Sequence, residues 1–135
     1  MATKAFLNLP VKDLTKSMTF FSGLGFTFNP QFTDEKAACM VINEHIFAML
    51  LTEPHFQSFT KKPISDAKTT TEVLIALDAA SKEEVIQNIA KATALGATIY
   101  NDPQDYGWMY GHSFADLDGH QWEFFFMDQS QMPNQ

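Results

Sequence analysis

One carboxylate, Glu123, lies in a row of apolar and neutral side chains near the end of the sequence. The stretch from Tyr106 to Asp128 is rich in aromatic residues, and its DLDG segment favours a tight turn between two strands. Because side chains alternate between the faces of a strand, Glu123 is expected to share a face with Phe125 and Met127. Burying a carboxylate there is unfavourable unless it meets a cation, a hydrogen-bond donor or a metal. Glu123 is therefore the first candidate for a binding or catalytic residue.

Other residues around the predicted turn have simpler interpretations. The strand face opposite Glu123 carries three aromatic residues that we assign to packing under helices: Trp122, Phe124 and Phe126. Three more aromatic residues, spaced by two, precede the turn and are expected to share one strand face, either lining a pocket or filling the core: Tyr106, Trp108 and Tyr110. Asp116 and Asp118 are assigned to turn formation, because the spacing lacks the remaining ligands of a calcium loop.

Composition restricts the classes of function. The net charge of −7 argues against nucleic acid and anionic membranes as partners, since both would require a basic patch. No apolar run is long enough to span a bilayer, and no long apolar segment precedes Pro10, so we expect neither a membrane protein nor a secretory signal. The single cysteine, Cys39, excludes an intramolecular disulfide and suits a reducing compartment. A cytoplasmic protein is the expectation.

The sequence contains an internal repeat. Each half is predicted to run as a strand, a capped helix and three further strands, with Asp13 and Ser81 as the helix caps. After each helix a similar segment follows, and 71 residues separate Gly25 from Gly96. We therefore predict an α+β fold, a single domain of two βαβββ modules at about 4–52 and 72–128, whose mixed sheets curve around a cleft. Residues 53–71, with two prolines, are predicted to form a long loop or lid, and a strand is expected at 98–101.

This element order resembles the vicinal oxygen chelate superfamily, which includes glyoxalase I, extradiol dioxygenases and the fosfomycin- and bleomycin-resistance proteins. The resemblance covers about residues 4–128 and rests on the pattern V-x-D-L at 11–14 and D-x-D-G-x-x-W-E at 116–123. The segment 103–114 is similar to bacterial proteins described as predicted lactoylglutathione lyases. The same fold, a cleft between curved sheets, is what the resemblance implies.

The resemblance also implies four metal-ligand positions on facing strands. The last-strand acid matches Glu123, and the fifth-strand position is assigned to Glu72. The first-strand position is assigned to Phe6, with Asn8 two residues further on the same face, and the fourth-strand position lies near Met49 or Leu50. Two carboxylates could hold a divalent ion such as Mg, Mn, Ni, Zn or Fe, but the imidazoles that a glyoxalase-type site uses are absent from these positions. His112, in the subgroup segment, is placed on a strand adjoining the site as a hydrogen-bonded wall residue, and whether it points into the cleft depends on the hairpin register.

Two functions follow from this resemblance. The first is a metal-dependent lyase, isomerase or transferase, similar to lactoylglutathione lyase, in which Glu123 or Glu72 moves a proton. The second is a non-catalytic binding protein that sequesters a cationic or aromatic small molecule, as in antibiotic resistance. The acidic charge and the aromatic segment favour the second, because carboxylates and aromatic faces both attract cations. In either case the resemblance implies a homodimer that binds a small-molecule ligand.

Overall fold

A computed structural model of the protein describes residues 1–133 of the chain. The chain divides into two compact units, Met1–Ser65 and Asp66–Gln135. Each unit contains one four-stranded mixed sheet with a helix packed against it. No helix within residues 1–133 is both long enough and apolar enough to span a bilayer.

The N-terminal unit contains four strands and two α-helices, which are β1 (Ala5–Val11), α1 (Leu14–Gly23), β2 (Thr27–Asn29), β3 (Ala37–Val41), β4 (Ile46–Thr52) and α2 (Glu53–Gln57). A short 3₁₀ turn, Pro30–Phe32, follows β2. The strand order is β1-β4-β3-β2, with β1 parallel to β4 and the other pairs antiparallel. This is a βαβββ module, as the sequence predicted.

Helix α1 forms where the sequence placed it. The Asp13 side chain accepts a hydrogen bond from the backbone N–H of Lys16 at 3.0 Å, which satisfies one of the free donors at the helix start. Leu14 and Phe21 are buried against the sheet, as their spacing on one helix face predicted. The α1 helix therefore covers one face of its sheet and leaves the other face available for a site.

The C-terminal unit repeats this arrangement with β5 (Leu74–Asp78), α3 (Lys82–Ala94), β6 (Gln104–Asp105), β7 (Met109–Ala115) and β8 (Gln121–Met127). The strand order is β5-β8-β7-β6, and only the β5–β8 pair is parallel. Gly25 and Gly96 follow the first helix of each unit with φ angles of 107° and 106°, so a residue without a Cβ ends both helices. The predicted repeat of βαβββ modules is confirmed.

Three segments differ from the prediction. Residues 98–101 do not form a strand; Thr98 makes only an isolated bridge to Ala115, and pairing with β7 resumes at Gln104. The five residues 99–103 stand opposite only three residues of β7, 112–114, so they bulge out of the ladder. The predicted loop after residue 52 begins with the α2 helix, because Pro54 suits the first turn of a helix. The third difference is a turn ahead of β7, which contains Gly107 with φ of 80°.

Candidate functional site

The two faces of the C-terminal sheet have opposite environments. Helix α3 packs on one face through Val85, Ile89 and Ala92 and contacts β7 and β8. Trp122 and Phe124 are buried on this helix-covered face, so their assignment to packing under a helix is confirmed. Glu123 projects from the other face, which we call the open face, because adjacent strand residues point to opposite sides.

Four positions on the open face define the surroundings of Glu123. In the ladder, Glu123 pairs with Ser113 of β7 on one side and with Ala76 of β5 on the other. The next pair along the same face joins Gly111 to Phe125. A Cβ placed on Gly111 would lie 3.3 Å from Glu123 Oε2, so the carboxylate lies directly over the glycine. The Glu123 carboxylate thus fills the space that the missing side chain of Gly111 leaves on the open face.

The negative charge of Glu123 has no partner within its own unit. Glu123 is half-buried, and among residues 66–133 its carboxylate has neither an ion-pair nor a hydrogen-bond partner. Lys82, by contrast, pairs with Asp105 at 3.2 Å and lies 4.9 Å from the centre of the Tyr110 ring. A half-buried carboxylate without a donor is unfavourable, so the open face attracts cationic or hydrogen-bond-donating groups.

The predicted aromatic face does not form. Strand β7 begins at Met109, so Tyr106 and Trp108 lie in the preceding turn, where their rings stack with centroids 6.4 Å apart. The ladder pairs Tyr110 with Phe126, which puts Tyr110 on the helix-covered face, away from Glu123. The prediction failed because Gly107 turns the backbone between Tyr106 and Trp108, which breaks the alternation of an extended strand.

His112 also lies on the helix-covered face. It pairs in the ladder with the buried Phe124, one position out of phase with Glu123. Its Nε2 atom lies 2.9 Å from the carbonyl oxygen of Asn101, a hydrogen bond that fastens the segment before β6 to β7. The structure therefore gives His112 a structural contact instead of the predicted place beside the site.

The N-terminal unit brings its three predicted site residues together on one face. Phe6, Asn8 and Met49 lie on the side of the sheet opposite α1. Asn8 and Met49 are ladder partners, and the Phe6 ring stacks on Phe47 with centroids 4.9 Å apart and an angle of 13° between the planes. Phe6 is 52% exposed, so this face presents an aromatic surface.

The ladders of the two units show which positions are equivalent. Met49 pairs with Asn8 and Cys39, while Glu123 pairs with Ala76 and Ser113 in the same arrangement of strands. Asn8 lies five residues before the Asp13 helix cap and Ala76 lies five residues before the Ser81 cap, so these two positions are equivalent and Met49 is the counterpart of Glu123. One pair earlier, Phe6 joins Phe47 and Leu74 joins Gln121, so Leu74 is the counterpart of Phe6.

This equivalence corrects the assignment of Glu72 to a ligand position. Glu72 lies before β5 and is exposed, whereas the equivalent of Phe6 is the apolar Leu74. The assignment failed because the ladder begins two residues later than the sequence suggested. The position that the superfamily uses for a ligand on this strand thus carries a side chain without a donor atom.

The residues present do not fit a divalent metal of the glyoxalase type. Phe6, Met49 and Leu74 occupy three of the implied ligand positions. Phenylalanine and leucine have no donor atom, and the thioether of Met49 is a soft ligand that does not suit such a site. Among residues 1–133, no three His, Cys, Asp or Glu side chains come together as a metal-binding group. Glu123 is the single acid that keeps its expected place.

The turn residue Asp116 has a structural role that the sequence motif did not reveal. Its Oδ1 accepts hydrogen bonds from the backbone N–H groups of Asp118 at 2.9 Å and His120 at 3.0 Å. Its Oδ2 accepts one from Trp122 Nε1 at 3.0 Å. Burial raises the pKa of the Asp116 carboxyl, while the nearby His120 and the indole hydrogen bond act in the opposite direction. The D-x-D-G-x-x-W-E pattern therefore builds the β7–β8 turn, and its final acid, Glu123, projects from the open face.

Comparisons with known proteins agree with this architecture. The family model described as bleomycin resistance protein-like N-terminal matches residues 4–43. The chain is similar to the hypothetical protein SA1046 from S. aureus, with 31% identity over 93% of this chain and 94% of that one, and a TM-score of 0.80. No curated protein matches the sequence.

Two further solved structures share the fold at lower identity. A glyoxalase/bleomycin resistance protein/dioxygenase family enzyme from Burkholderia phytofirmans PsJN has 15% identity over 90% of this chain and 96% of its own, with a TM-score of 0.78. The fosfomycin resistance protein FosX from Listeria monocytogenes has 20% identity over 100% of this chain and 96% of its own, with a TM-score of 0.69. At these identities the similarity establishes the fold.

Proposed function

Because this chain belongs to the glyoxalase/bleomycin resistance/dioxygenase family of the vicinal oxygen chelate superfamily, we propose that it binds a cationic small molecule through Glu123. In this proposal the protein sequesters its ligand on the open face of the C-terminal sheet and carries out no reaction on it. The observation that carries the proposal is the half-buried Glu123 carboxylate, which has no partner among residues 66–133. A ligand cation would supply the missing partner.

The neighbours of Glu123 support an amphipathic ligand. Phe125 flanks the carboxylate on the same strand face, and Met109 pairs with Met127 at the far end of that face. Apolar and sulfur-containing side chains bury the hydrophobic part of a ligand and adapt to its shape. The net charge of −7 adds a long-range attraction for cations and speeds their encounter with the protein. Bleomycin, a cationic glycopeptide named in the family description, is the first ligand to test.

The binding experiment compares wild-type protein with Glu123→Gln by isothermal titration of bleomycin. We expect the wild type to bind, and the Gln variant to bind at least about tenfold more weakly, because it loses a charge-assisted contact of about 1.5–3 kcal/mol. Glu35→Gln, an exposed site in the N-terminal unit, removes the same charge elsewhere and should bind like the wild type. Equal binding by all three proteins would exclude a role for Glu123. After incubation, chromatography should recover the drug unmodified.

A metal-dependent lyase, isomerase or transferase is the second candidate, favoured by the place of Glu123 at the superfamily's last-strand acid position. The residues at the other ligand positions, Phe6, Met49 and Leu74, do not favour this function because they offer no nitrogen or oxygen ligand. Protein purified without chelator is tested by elemental analysis for Mg, Mn, Fe, Ni and Zn, and with methylglyoxal plus glutathione for lactoylglutathione formation. A near-stoichiometric ion that Glu123→Gln removes, together with turnover, would replace the sequestration proposal with this one.

A further inference from the structure

The turn between β6 and β7 carries two aromatic side chains. The backbone N–H of Tyr106 donates to the carbonyl oxygen of Met109 at 2.8 Å, so Gly107 and Trp108 alone form the loop. Gly107 has a φ of 80° and Trp108 has no positive φ, which is the pattern of a type II′ turn. The Tyr106 and Trp108 rings stack with an angle of 24° between their planes. We call residues 106–109 the aromatic turn.

Neighbouring elements fix the aromatic turn in place. Asp105 Oδ1 accepts a hydrogen bond from the backbone N–H of Gly107 at 2.9 Å, and Asp105 Oδ2 pairs with Lys82 of α3 at 3.2 Å. The backbone N–H of Asp128, just after β8, donates to the carbonyl oxygen of Trp108 at 2.7 Å. A loop that is already held on both sides loses little conformational entropy when a ligand binds it. The aromatic turn is therefore preorganised for binding.

Tyr106 lies on the same face of the sheet as Glu123. It stands opposite Met109 across the turn, and opposing residues of an antiparallel pair point to the same side. The ladder partner of Met109 is Met127, which follows Glu123 by four residues and so shares its face. Because the Trp108 ring stacks on Tyr106, both rings lie at one end of the open face.

The open face therefore changes in character along β8. Glu123 lies at one point, and four residues of strand, about 13 Å, separate it from the pair next to the aromatic turn. The apolar side chains of Phe125 and Met127 lie between. At the end of the face Tyr106 is 58% exposed, so its ring is accessible to a ligand.

We propose that the aromatic turn binds the ring of an aryl-alkyl ammonium ligand whose cation contacts Glu123. The carboxylate requires a cation or a donor, the accessible Tyr106 ring can stack with another aromatic ring, and the apolar side chains between them suit an alkyl linker. The inference rests on the proposed function, since it specifies the rest of the molecule whose cation Glu123 binds.

Three probes separate the ring from the charge. The first is a phenylalkylamine whose ring and nitrogen are about 13 Å apart when the linker is extended, to match the strand span. The second is its cyclohexyl counterpart, and the third is the phenyl compound with an alcohol in place of the amine. We expect the phenyl amine to bind at least about threefold more tightly than the cyclohexyl amine, because only the phenyl ring stacks. The neutral alcohol should bind at least about tenfold more weakly than the phenyl amine.

The two tryptophans of the chain report where the ring binds. Trp122 is 1% exposed and its indole N–H donates to Asp116, whereas Trp108 belongs to the aromatic turn. Each titration is followed by the indole N–H resonances in nuclear magnetic resonance spectra. The Trp108 resonance should shift with the phenyl amine while the Trp122 resonance stays in place. A Trp108 resonance that does not move as the phenyl amine saturates the protein would overturn the inference.

Tyr106→Leu provides the second arm of the experiment. It keeps an apolar side chain at an exposed position but removes the ring, so the phenyl amine should weaken to the affinity of the cyclohexyl amine, which itself stays unchanged. Tyr100→Leu is the matched control, since Tyr100 is a 43% exposed tyrosine of the same unit outside the aromatic turn. It should bind all three probes like the wild type. Unchanged binding of the phenyl amine by Tyr106→Leu would overturn the inference.

The proposed function fails in a different pattern. If neither amine binds the wild type, or if Glu123→Gln binds both amines as the wild type does, then Glu123 is not a cation site and both proposals fall. If both amines bind in a Glu123-dependent way but with equal affinity, the proposed function stands and only the role of the aromatic turn is lost.

Discussion

Asp116 and Trp122 are joined by a hydrogen bond of 3.0 Å from the indole Nε1 to a buried carboxylate oxygen. The bond connects the β7–β8 turn to the core residue with the largest fully buried side chain. The other carboxylate oxygen holds two backbone N–H groups of the same turn. This one side chain therefore fixes both the turn and the orientation of the strand that presents Glu123.

Asp116→Ala should destabilise the protein by about 2–4 kcal/mol, because it leaves a buried indole N–H and backbone donors unsatisfied. Urea unfolding followed by tryptophan fluorescence measures the change. Asp102→Ala, an exposed position in the same unit, removes an equal charge and should change the free energy of unfolding by less than about 0.5 kcal/mol. Similar losses in both variants would show that the Asp116 network does not support the fold.

The same residue predicts a pH dependence of stability. Burial raises the pKa of Asp116 above its ordinary value, so the folded protein holds this proton more tightly than the unfolded chain does. Its contribution to stability is fully present below the unfolded pKa and is lost as the pH rises through the folded pKa. As the pH is raised from about 4 toward neutrality, the melting temperature of the wild type should fall relative to that of Asp116→Asn. A wild-type melting temperature that rises relative to that of Asp116→Asn over this pH range would contradict the sign.

Position 119 requires a glycine for two reasons: its backbone is left-handed, and a Cβ there would collide with a neighbouring segment. Its φ is 93°, and a Cβ there would lie 2.7 Å from the Lys68 backbone nitrogen and 2.8 Å from the Ala67 carbonyl carbon. Gly119→Ala should therefore destabilise by more than the 1–2 kcal/mol, roughly, that a left-handed conformation alone costs. Gly107→Ala is the matched control, since its φ is 80° but nothing lies within 4 Å of the added Cβ. Equal losses in chemical denaturation would mean that the Ala67–Lys68 segment moves aside freely.

Local rules made helices α1 and α3 and the last hairpin predictable from sequence, although the short α2 helix was predicted as a loop. The Asp13 and Ser81 caps, and the glycines at 25 and 96, each act through backbone groups within a few residues. The strand face on which Glu123 lies was predictable because side chains alternate between the two faces of the continuous strand β8. These features needed no knowledge of distant contacts, which is why the duplicated βαβββ order was recognisable.

Register between strands was the part that sequence did not determine. Whether Tyr110 and His112 face the site depends on where β7 begins, and a shift of one residue reverses every side chain. Glu72 was misplaced for a related reason, since the β5 ladder begins at Leu74. Gly111 could have drawn attention in the sequence, because a glycine inside a predicted strand is unusual. Its closeness to Glu123, however, follows only from the pairing of β7 with β8.

We expect the protein to be a homodimer in solution. Leu74 and Phe6 are 68% and 52% exposed, and large exposed apolar side chains commonly mark association surfaces. Light scattering coupled to size exclusion should give twice the mass of one chain at micromolar concentration. A single-chain mass throughout a dilution series would contradict the expectation, and the binding experiments with Glu123 variants would still stand.

Glu123→Gln should stabilise the ligand-free protein. Glutamine has nearly the same shape as glutamate but no charge, so it avoids the cost of a half-buried carboxylate without a partner, and its amide can donate toward the opposing Ser113. A gain of about 0.5–2 kcal/mol is typical when a residue kept for binding is replaced by one that suits the fold. Differential scanning calorimetry measures it, with Glu35→Gln as the exposed control that should not change. If Glu123→Gln instead melts at a lower temperature than the wild type, then the carboxylate already has a stabilising partner in the free protein. Stabilisation combined with loss of cation binding would show that the chain keeps this acid for its ligand at the expense of its own stability.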